Sequence, residues 1–186
     1  VTRLPGEKEI SFDTSTFLLP GAHNLENLMG IVLCALAAGV EQEAIQSGIS
    51  SFRGLPHRIE PVGDIRGIRF YDDSKATNVD AALRAINSIE RPIVLIAGGR
   101  HKGGEYRPMV DASRGKVKEA ILMGESRQLM ADAFEGVIPY VFASDMREAV
   151  ERAFRIAVED DVVLLAPACS SFDMFSDYAH RGNVFK

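Results

Sequence analysis

The stretch Pro92-Ile93-Val94-Leu95-Ile96-Ala97-Gly98-Gly99 decides the fold of this chain. Its apolar side chains follow one another without polar residues between them, a pattern that is typical of a strand covered on both faces. Strands of this kind occur mainly in parallel sheets that carry helices on both sides. The two glycines mark the point where the chain leaves the strand. The segment therefore predicts one strand of a mainly parallel sheet.

Further segments repeat this apolar pattern, and helical patterns separate them. The predicted strands are Ala120–Gly124, Ile138–Ala143 and Asp161–Ala166. The predicted helices are Asn78–Ile89, a helix ending near Phe134, Asp145–Val158 with Ser144 as its N-cap, and Ser171–Tyr178. Upstream, Arg58–Val62 and Ile68–Tyr71 alternate as in a strand pair joined through glycines. Repeated strand–helix units with right-handed crossovers predict an α/β fold: a Rossmann-like, doubly wound, mainly parallel sheet with helices on both faces.

The N-terminal part of the chain shows a different organisation. A predicted helix over residues 23–40 ends near Gly39 and carries an apolar stripe of Leu25, Leu28, Met29, Val32 and Leu36. A second helix over 41–47 is predicted to bury Ala44 and Ile45 and to end at Gly48, and residues 9–12 and 17–19 are predicted as short strands. These elements bury too little apolar surface for a core of their own. Residues 1–53 are therefore interpreted as the end of one domain, and residues 54–186 as a second domain. Val1 in place of an initiator methionine agrees with a piece of a longer chain.

The composition is that of an ordinary globular protein. Apolar residues make up 46% and charged residues 25% of the 186 residues, which argues against disorder and against a disulfide scaffold. The 21 basic residues against 26 acidic ones give a net charge of −5, so nucleic acid is not predicted as a partner. No apolar run reaches the roughly 18 residues of a membrane span, and no secretory leader is recognised. Two cysteines far apart in the sequence favour a reduced, cytoplasmic setting.

In open parallel sheets, ligands bind beyond the carboxyl ends of the strands. This rule singles out Asp72–Asn78, Gly98–Gly104, Gly124–Arg127 and Pro167–Asp173. The first of these segments combines carboxylate, hydroxyl, ammonium and amide groups just before a helix N-terminus, which itself attracts anions. Lys75 would add a full positive charge, and Asp73 could accept hydrogen bonds from a ribose. The alternative is that Thr77 or Asn78 only caps the helix while the other side chains are solvated.

Two other strand-end segments allow a functional and a plain interpretation. Gly98–Gly104 places an arginine, a histidine and a lysine between four glycines, which indicates either an anion site or a mobile charged turn. The segment matches neither the Walker A pattern nor GxGxxG. Cys169 is interpreted as a small core residue, because a nucleophilic thiol needs a base and a lowered pKa. Ser170 and Ser171 either cap a helix or contact a ligand.

Two amides mark the start of the first predicted helix. Asn24 and Asn27 lie one turn apart, so both side chains could meet one flat ligand, and helix capping is the alternative for each. The histidines, cysteines and carboxylates nowhere follow the spacing of a zinc site, and no metal ligand is predicted.

Six motifs, in order along the chain, resemble those of the Mur ligases. They are Gly21–Asn27, Gly54–Arg58, Asp72–Asn78, Gly98–Gly104, Ser170–Phe175 and Arg181–Phe185. The string Asp-Ser-Lys-Ala-Thr-Asn at 73–78 is the most specific of them and resembles the family members that add D-glutamate. A ligase for another amino acid, or a folylpolyglutamate ligase, is the nearest competitor within the superfamily, and this string speaks against both. The resemblance runs from about Pro20 to the end of the chain.

The resemblance implies a three-domain enzyme of which this chain holds two parts. Residues 1–53 would be the C-terminal remnant of the central ATPase domain, whose P-loop and metal-binding residues lie outside this sequence, and 54–186 the C-terminal Rossmann-like domain. The family reaction uses ATP and Mg²⁺ to phosphorylate the carboxylate of UDP-N-acetylmuramoyl-L-alanine, and the amine of D-glutamate then attacks the acyl phosphate. The full-length protein would be a cytoplasmic, monomeric, bacterial ligase of peptidoglycan precursor synthesis. This chain alone would be inactive.

The resemblance also implies roles for individual residues. The nucleotide would contact Asn24 and Asn27 through adenine, Arg58 through phosphates or ribose, Asp73 through ribose, and Lys75 near phosphate. The D-glutamate pocket would hold Thr77, Lys102, Ser171, Phe172 and Tyr178, and the catalytic cations would be Lys75 and Lys102. One position departs from the family pattern, because His101 stands where an aspartate is usual, and this changes the charge of the glycine-rich loop. Outside the ligases, two alternatives are a freestanding nucleotide-binding Rossmann-like module and a non-catalytic interaction domain.

Overall fold

The computed structural model describes residues 10–17, 19 and 21–186. The chain divides into two compact units, Val1–Gly54 and Leu55–Lys186, and each is described by itself. Within the described ranges, none of the helices has the length and apolar character needed to cross a membrane.

The first unit contains two helices, α1 (Ala22–Ala37) and α2 (Gln42–Ser51). Their buried side chains form a small core of Leu28, Val32, Ile45 and Ile49. Helix α1 ends at Ala37, before the predicted end at residue 40, and Gly39 lies just past its C-cap with a φ of 78°, in the left-handed region that glycine tolerates. The amide of Val40 donates to the Ala35 carbonyl and that of Gly39 to the Leu36 carbonyl, which is the hydrogen-bond pattern of a Schellman motif.

Several predictions for this unit were wrong. Helix α2 runs through Gly48 to Ser51, because Ile49 lies one turn beyond Ile45 and both side chains are buried. Ala44, predicted to be buried, is exposed. Of the predicted apolar stripe of α1, Leu25 and Met29 are 43% and 53% exposed. The described parts of 9–12 and 17–19 contain a single β-bridge residue, Ile10, and no strand, while residues 9 and 18 lie outside the described ranges.

The second unit is built on one six-stranded sheet. Its strands are β1 (Glu60–Ile65), β2 (Ile68–Asp72), β3 (Ile93–Gly98), β4 (Val117–Met123), β5 (Tyr140–Phe142) and β6 (Val162–Leu165). Its helices are α3 (Val79–Ser88), α4 (Arg107–Ser113), α5 (Arg127–Phe134), α6 (Met146–Ile156) and α7 (Tyr178–Phe185). The strand order is β1-β2-β6-β3-β4-β5, with β1 antiparallel to β2 and every other pair parallel.

Strand β3 explains why the opening stretch has no polar residues. All of its residues are buried, and they alternate between two cores on opposite faces of the sheet. Ile93, Leu95 and Ala97 belong to the core that α3, α4 and α5 cover. Val94 and Ile96 belong to the core that α6 and α7 cover. The prediction of a mainly parallel, doubly wound α/β sheet is therefore confirmed.

The antiparallel edge follows from a two-residue turn. Ile65 pairs with Ile68, and both Arg66 (φ 57°) and Gly67 (φ 77°) adopt left-handed conformations, as tight hairpins require. Gly63, predicted near the turn, lies inside β1, where the register shifts between Pro61 and Gly63.

Two helical predictions in this unit need correction, and one helix was missed. The N-cap of α6 is Asp145 and not Ser144, because the Asp145 carboxylate accepts from the amide of Glu148 at 2.8 Å. Ser171–Tyr178 is not a helix; its first residues form a turn in which the Ser171 carbonyl accepts from two following amides. The helix begins only at Tyr178, capped by Asp177. Helix α4 was not predicted, because its short sequence lacks a clear apolar period.

Candidate functional site

The strand-end segments converge at one edge of the parallel sheet. Strands β2, β6, β3 and β4 are successive neighbours, so their carboxyl ends lie side by side. Backbone hydrogen bonds link the segments beyond them. Asp73 N donates to the Leu165 carbonyl at 2.9 Å, and Gly98 N donates to the Pro167 carbonyl at the same distance. This edge brings together the segments that the sequence predicted as ligand-binding after β2, β3 and β6.

A buried arginine joins the segment after β2 to the segment after β6. Arg181, on α7, is only 2% exposed. Its Nε and Nη2 donate to the hydroxyl and the carbonyl of Ser74 at 2.9 and 2.8 Å, and its Nη1 donates to the Cys169 carbonyl at 3.1 Å. Burial lowers the pKa of Arg181 to about 10, which still leaves the guanidinium protonated at neutral pH. Sequence reasoning listed Arg181 as part of a motif but gave it no role.

A buried histidine–aspartate pair holds the start of the same segment in place. Asp72 is fully buried, and its Oδ2 lies 2.7 Å from Nδ1 of His57. Its Oδ1 accepts from the amide of Ser74 at 2.8 Å, so Asp72 fixes the start of the segment from both oxygens. A Cβ at Gly182 would overlap the side chains of His57 and Asp72, which explains why glycine stands there.

The described residues contain one group with the composition of a metal site, and it does not fit Mg²⁺. His57, Glu60 and Asp72 each offer a ligand atom within 4.8 Å of the others. Nζ of Lys186 lies 2.7 Å from Oε2 of Glu60 and 3.8 Å from Oδ2 of Asp72, so an ammonium supplies the positive charge between these carboxylates. Mg²⁺ prefers an octahedral set of oxygens, and one of these ligands is a histidine nitrogen. No step of the chemistry is therefore assigned to a metal at this group.

Asp73 is a carboxyl group at this edge whose pKa lies far above its ordinary value. Its side chain is 7% exposed, and Oδ1 accepts a long hydrogen bond of 3.3 Å from the amide of Ile59. Burial raises the pKa of Asp73 to about 7; the charge of Arg58 opposes this rise, and the neighbouring Asp72 adds to it. Asp73 can therefore gain or lose a proton near neutral pH, and a hydroxyl donated to it would favour the ionised form.

Lys75 contacts an aromatic ring. Its Nζ lies 3.7 Å from the centroid of the Tyr178 ring. Across the described ranges, this ammonium has neither a hydrogen-bond nor an ion-pair partner. Its positive charge is therefore held in place without being neutralised by a carboxylate.

The three basic residues of the glycine-rich loop after β3 differ in their contacts. Arg100 is paired through two hydrogen bonds with Glu125, at 3.0 and 3.1 Å. His101 Nδ1 lies 2.8 Å from the Tyr106 hydroxyl, which in turn lies 3.1 Å from Sγ of Cys169. Lys102 is exposed, and its ammonium has no side-chain partner within the described part of the chain. Of the three basic side chains in this loop, it is the one whose charge is accessible to an anionic ligand.

Cys169 fits the interpretation as a core residue. It is completely buried, and burial raises the pKa of its thiol. Its sulfur contacts the hydroxyls of Tyr106 and Ser126 at 3.1 and 3.2 Å. A thiol with a raised pKa and no solvent access is a poor nucleophile.

The remaining predicted residues divide between caps and exposed positions. Asn78 caps α3, its Oδ1 accepting from the amide of Ala81 at 2.8 Å, so the capping alternative holds for this residue. Thr77, just before the cap, is half-buried. Ser171 is 2% exposed and Phe172 is 61% exposed. In the first unit, the N-cap of α1 is Gly21, so neither Asn24 nor Asn27 caps that helix.

Comparison with known proteins places the second unit in a family. A model of the Mur ligase glutamate ligase domain matches residues 57–169. The UDP-N-acetylmuramoylalanine–D-glutamate ligase of Caldicellulosiruptor bescii is 45% identical over 170 residues, covering 90% of this chain and 37% of that protein. The enzyme of the same name from Pelotomaculum thermopropionicum is 42% identical, covering 100% of this chain and 41% of its own length. The chain thus spans about two fifths of the length of these curated relatives.

Solved structures share the fold at low sequence identity. UDP-N-acetylmuramate-alanine ligase from Thermotoga maritima gives a TM-score of 0.67 at 17% identity, covering 90% of this chain and 37% of that one. Folylpolyglutamate synthase from the same organism gives 0.57 at 19% identity, covering 81% and 37%. At these identities the likeness concerns the fold alone. The family model, which extends over more than half of the chain, decides the question: this chain belongs to the Mur ligase family.

Proposed function

We propose that this chain is the C-terminal part of an ADP-forming ligase that joins D-glutamate to UDP-N-acetylmuramoyl-L-alanine in peptidoglycan precursor synthesis. The observation that carries this proposal is that Asp73 and Lys75 follow β2 and Lys102 follows β3, two strands that flank β6 and run parallel to it, so that all three residues lie beyond carboxyl ends of the same sheet. Relatives that bear the name of this ligase are 39–45% identical to the chain, which supports the choice of substrate.

In this proposal, the segment after β2 serves the nucleotide. Asp73 would accept hydrogen bonds from the ribose hydroxyls of ATP, and Lys75 would approach its phosphates. Arg58 is exposed just before β1 and would act on the phosphates or the ribose. In the first unit, Asn24 and Asn27 would address the adenine. The first unit would then be the remnant of the central ATPase domain, and the second the C-terminal domain.

The amino-acid substrate would use the loop after β3 and the segment after β6. Glutamate carries two carboxylates, and Lys102 offers a charge that no described side chain neutralises. Thr77 and Ser171 would donate hydroxyl hydrogen bonds, and Phe172 would cover the carbon chain. Charge-assisted hydrogen bonds of this kind are about twice as strong as neutral ones, so Lys102 would contribute more to the affinity than either hydroxyl.

The chemistry explains why cations are needed at this sheet edge. A carboxylate is a poor acyl donor, and transfer of the γ-phosphoryl group from ATP gives it a phosphate leaving group. The lone pair of the neutral amine of D-glutamate then attacks the carbonyl carbon. The tetrahedral intermediate collapses as the bond from carbon to the phosphate oxygen breaks, phosphate departs, and the nitrogen loses one proton to water or to the departing phosphate. Lys75 would stabilise charge on the transferring phosphoryl oxygens, while Lys102 would fix the attacking amine by holding its carboxylate. Mg²⁺ neutralises phosphate charge in such transfers, and its ligands are proposed to lie outside this chain.

The experiment is a panel of amino acids given to the full-length ligase with ATP and UDP-N-acetylmuramoyl-L-alanine. ADP release is expected with D-glutamate and not with L-glutamate, L-alanine or meso-diaminopimelate. A preference for another amino acid, or for a folate substrate, would favour the corresponding superfamily ligase.

The 186-residue chain alone is expected to show no ADP release, because it contains no GxxxxGK[ST] sequence. Turnover by this chain would overturn that part of the proposal. The proposal also places the full-length enzyme in the cytoplasm, and finding it elsewhere by cell fractionation would contradict this.

A further inference from the structure

The side chain of Lys75 stands out because a neutral ring, and not a carboxylate, holds its ammonium. Nζ lies 3.7 Å from the centroid of Tyr178, which is close enough for a cation–π interaction. No carboxylate of the described residues lies within ion-pair distance of it. A carboxylate partner would cancel the positive charge, whereas a ring attracts it through its quadrupole and leaves the net charge available to an anion.

The ring of Tyr178 is fixed by contacts that do not involve Lys75. Its carbonyl accepts from the Ser74 hydroxyl at 2.7 Å, and the residue begins helix α7, whose N-cap is Asp177. The ring packs in a T-shaped arrangement against the buried ring of His57, with centroids 5.9 Å apart and planes at 81°. The Tyr178 face is therefore a preformed surface, and the lysine side chain lies on it.

The hydroxyl of Tyr178 plays no visible part in this arrangement. Within the described ranges it makes no hydrogen bond, and every contact named above uses the ring or the backbone carbonyl. Phenylalanine at this position would keep the aromatic face, whereas leucine would keep apolar volume without the face. This difference separates an electrostatic role of the ring from simple packing.

We propose that Tyr178 is the positioning residue for Lys75, holding its ammonium at the carboxyl end of β2 toward the transferring phosphate. This inference rests on the proposed function and changes the role that the resemblance implies for Tyr178, namely a contact to D-glutamate. Tyr178 thus acts through Lys75, and its loss should be felt in phosphoryl transfer and not in recognition of the amino acid.

The placement can be tested on the 186-residue chain without any activity. In proton–carbon NMR spectra, the ε-methylene protons of Lys75 are expected to be shifted upfield by the ring current of Tyr178. The shift should persist in Tyr178→Phe and disappear in Tyr178→Leu. Ordinary lysine ε-proton shifts in the unsubstituted chain would overturn the placement, whether or not the protein proves to be a D-glutamate ligase.

The role can be tested in the full-length ligase with Lys75→Met, Tyr178→Leu and the double variant. Tyr178→Leu should lower kcat by about 3- to 30-fold, the range that cation–π energies imply, and Tyr178→Phe should restore it. The D-glutamate KM should stay unchanged, and the double variant should be no slower than Lys75→Met alone.

Additive losses of kcat in the double variant, or a rise confined to the D-glutamate KM, would overturn the proposal. Melting temperatures identify variants that fail to fold. An unsubstituted enzyme without ligase activity would contradict the proposed function, and the NMR result would still decide the placement.

Discussion

Arg181 and Ser74, which are 107 positions apart in the sequence, are joined by two hydrogen bonds from one guanidinium. The same guanidinium also donates to the Cys169 carbonyl at 3.1 Å. This contact locks the segment that carries Asp73 and Lys75 against the end of β6. The proposed nucleotide-binding side chains therefore stand on a backbone that a buried charge holds in place.

Replacement of Arg181 by methionine should destabilise the chain strongly. The substitution keeps much of the apolar length but leaves the carbonyls of Ser74 and Cys169 buried without donors. The expected loss is about 2–4 kcal/mol in the free energy of unfolding, measured by urea denaturation of the 186-residue chain. The matched control is Arg84→Met on the exposed face of α3, expected to change stability by no more than about 0.5 kcal/mol. Equal effects of the two variants would refute the locking role.

Alanine at Gly182 should be far less tolerated than alanine at Gly48, although both glycines are helical. At Gly182 the added methyl would overlap His57 and Asp72, whereas at Gly48 it would meet nothing within 4 Å. Gly182→Ala is expected to cost about 1–3 kcal/mol through forced repacking. Gly48→Ala should stabilise the helix by about 0.5–1 kcal/mol. Thermal unfolding of both variants measures the difference, and a stable Gly182→Ala variant would contradict the described packing.

The raised pKa of Asp73 predicts how stability changes with pH. Because burial raises the pKa from 3.8 to about 7, the folded chain favours the protonated carboxyl. The stabilisation by this group is complete below pH 3.8 and is lost as the pH rises through about 7. Asp73→Asn should remove this dependence, so its gain in stability over the unsubstituted chain should grow between those pH values, by at most about 4 kcal/mol. Parallel unfolding curves for the two proteins across that window would show that Asp73 does not titrate there.

The sheet was predictable because its signal is local. A short, unbroken apolar run such as Ile93–Ala97, between Pro92 and two glycines, favours a strand that is covered on both faces, and the structure confirms it. The strand-end rule then selects the segments that contain Asp73, Lys75 and Lys102 as candidates for ligand binding. Helix ends were less predictable. Gly48 resembles a C-cap in the sequence, but the burial of Ile49 carries α2 past it. Here tertiary packing outweighs local preference.

The contacts that position the site could not be predicted from spacing. Arg181 contacts Ser74, and Tyr178 contacts Lys75, from helix α7, which begins later than the helix that the sequence predicts. The run Ser171–Tyr178 has helix-like apolar spacing, yet Asp177 caps a helix that starts where the predicted one ends. No periodic pattern links residues that are a hundred positions apart, so these contacts depend on the fold as a whole.

The central claim is that this sheet edge holds the amino-acid substrate of a D-glutamate ligase, with Lys102 as the partner of its carboxylate. The most direct measurement compares the D-glutamate KM and the ATP KM of the full-length ligase with those of its Lys102→Ala variant, with Arg84→Ala as the surface control. We expect the D-glutamate KM to rise about 10- to 100-fold, as the loss of a charged hydrogen bond implies, while the ATP KM changes little. An unchanged D-glutamate KM, or an equal rise in both constants, would contradict the claim.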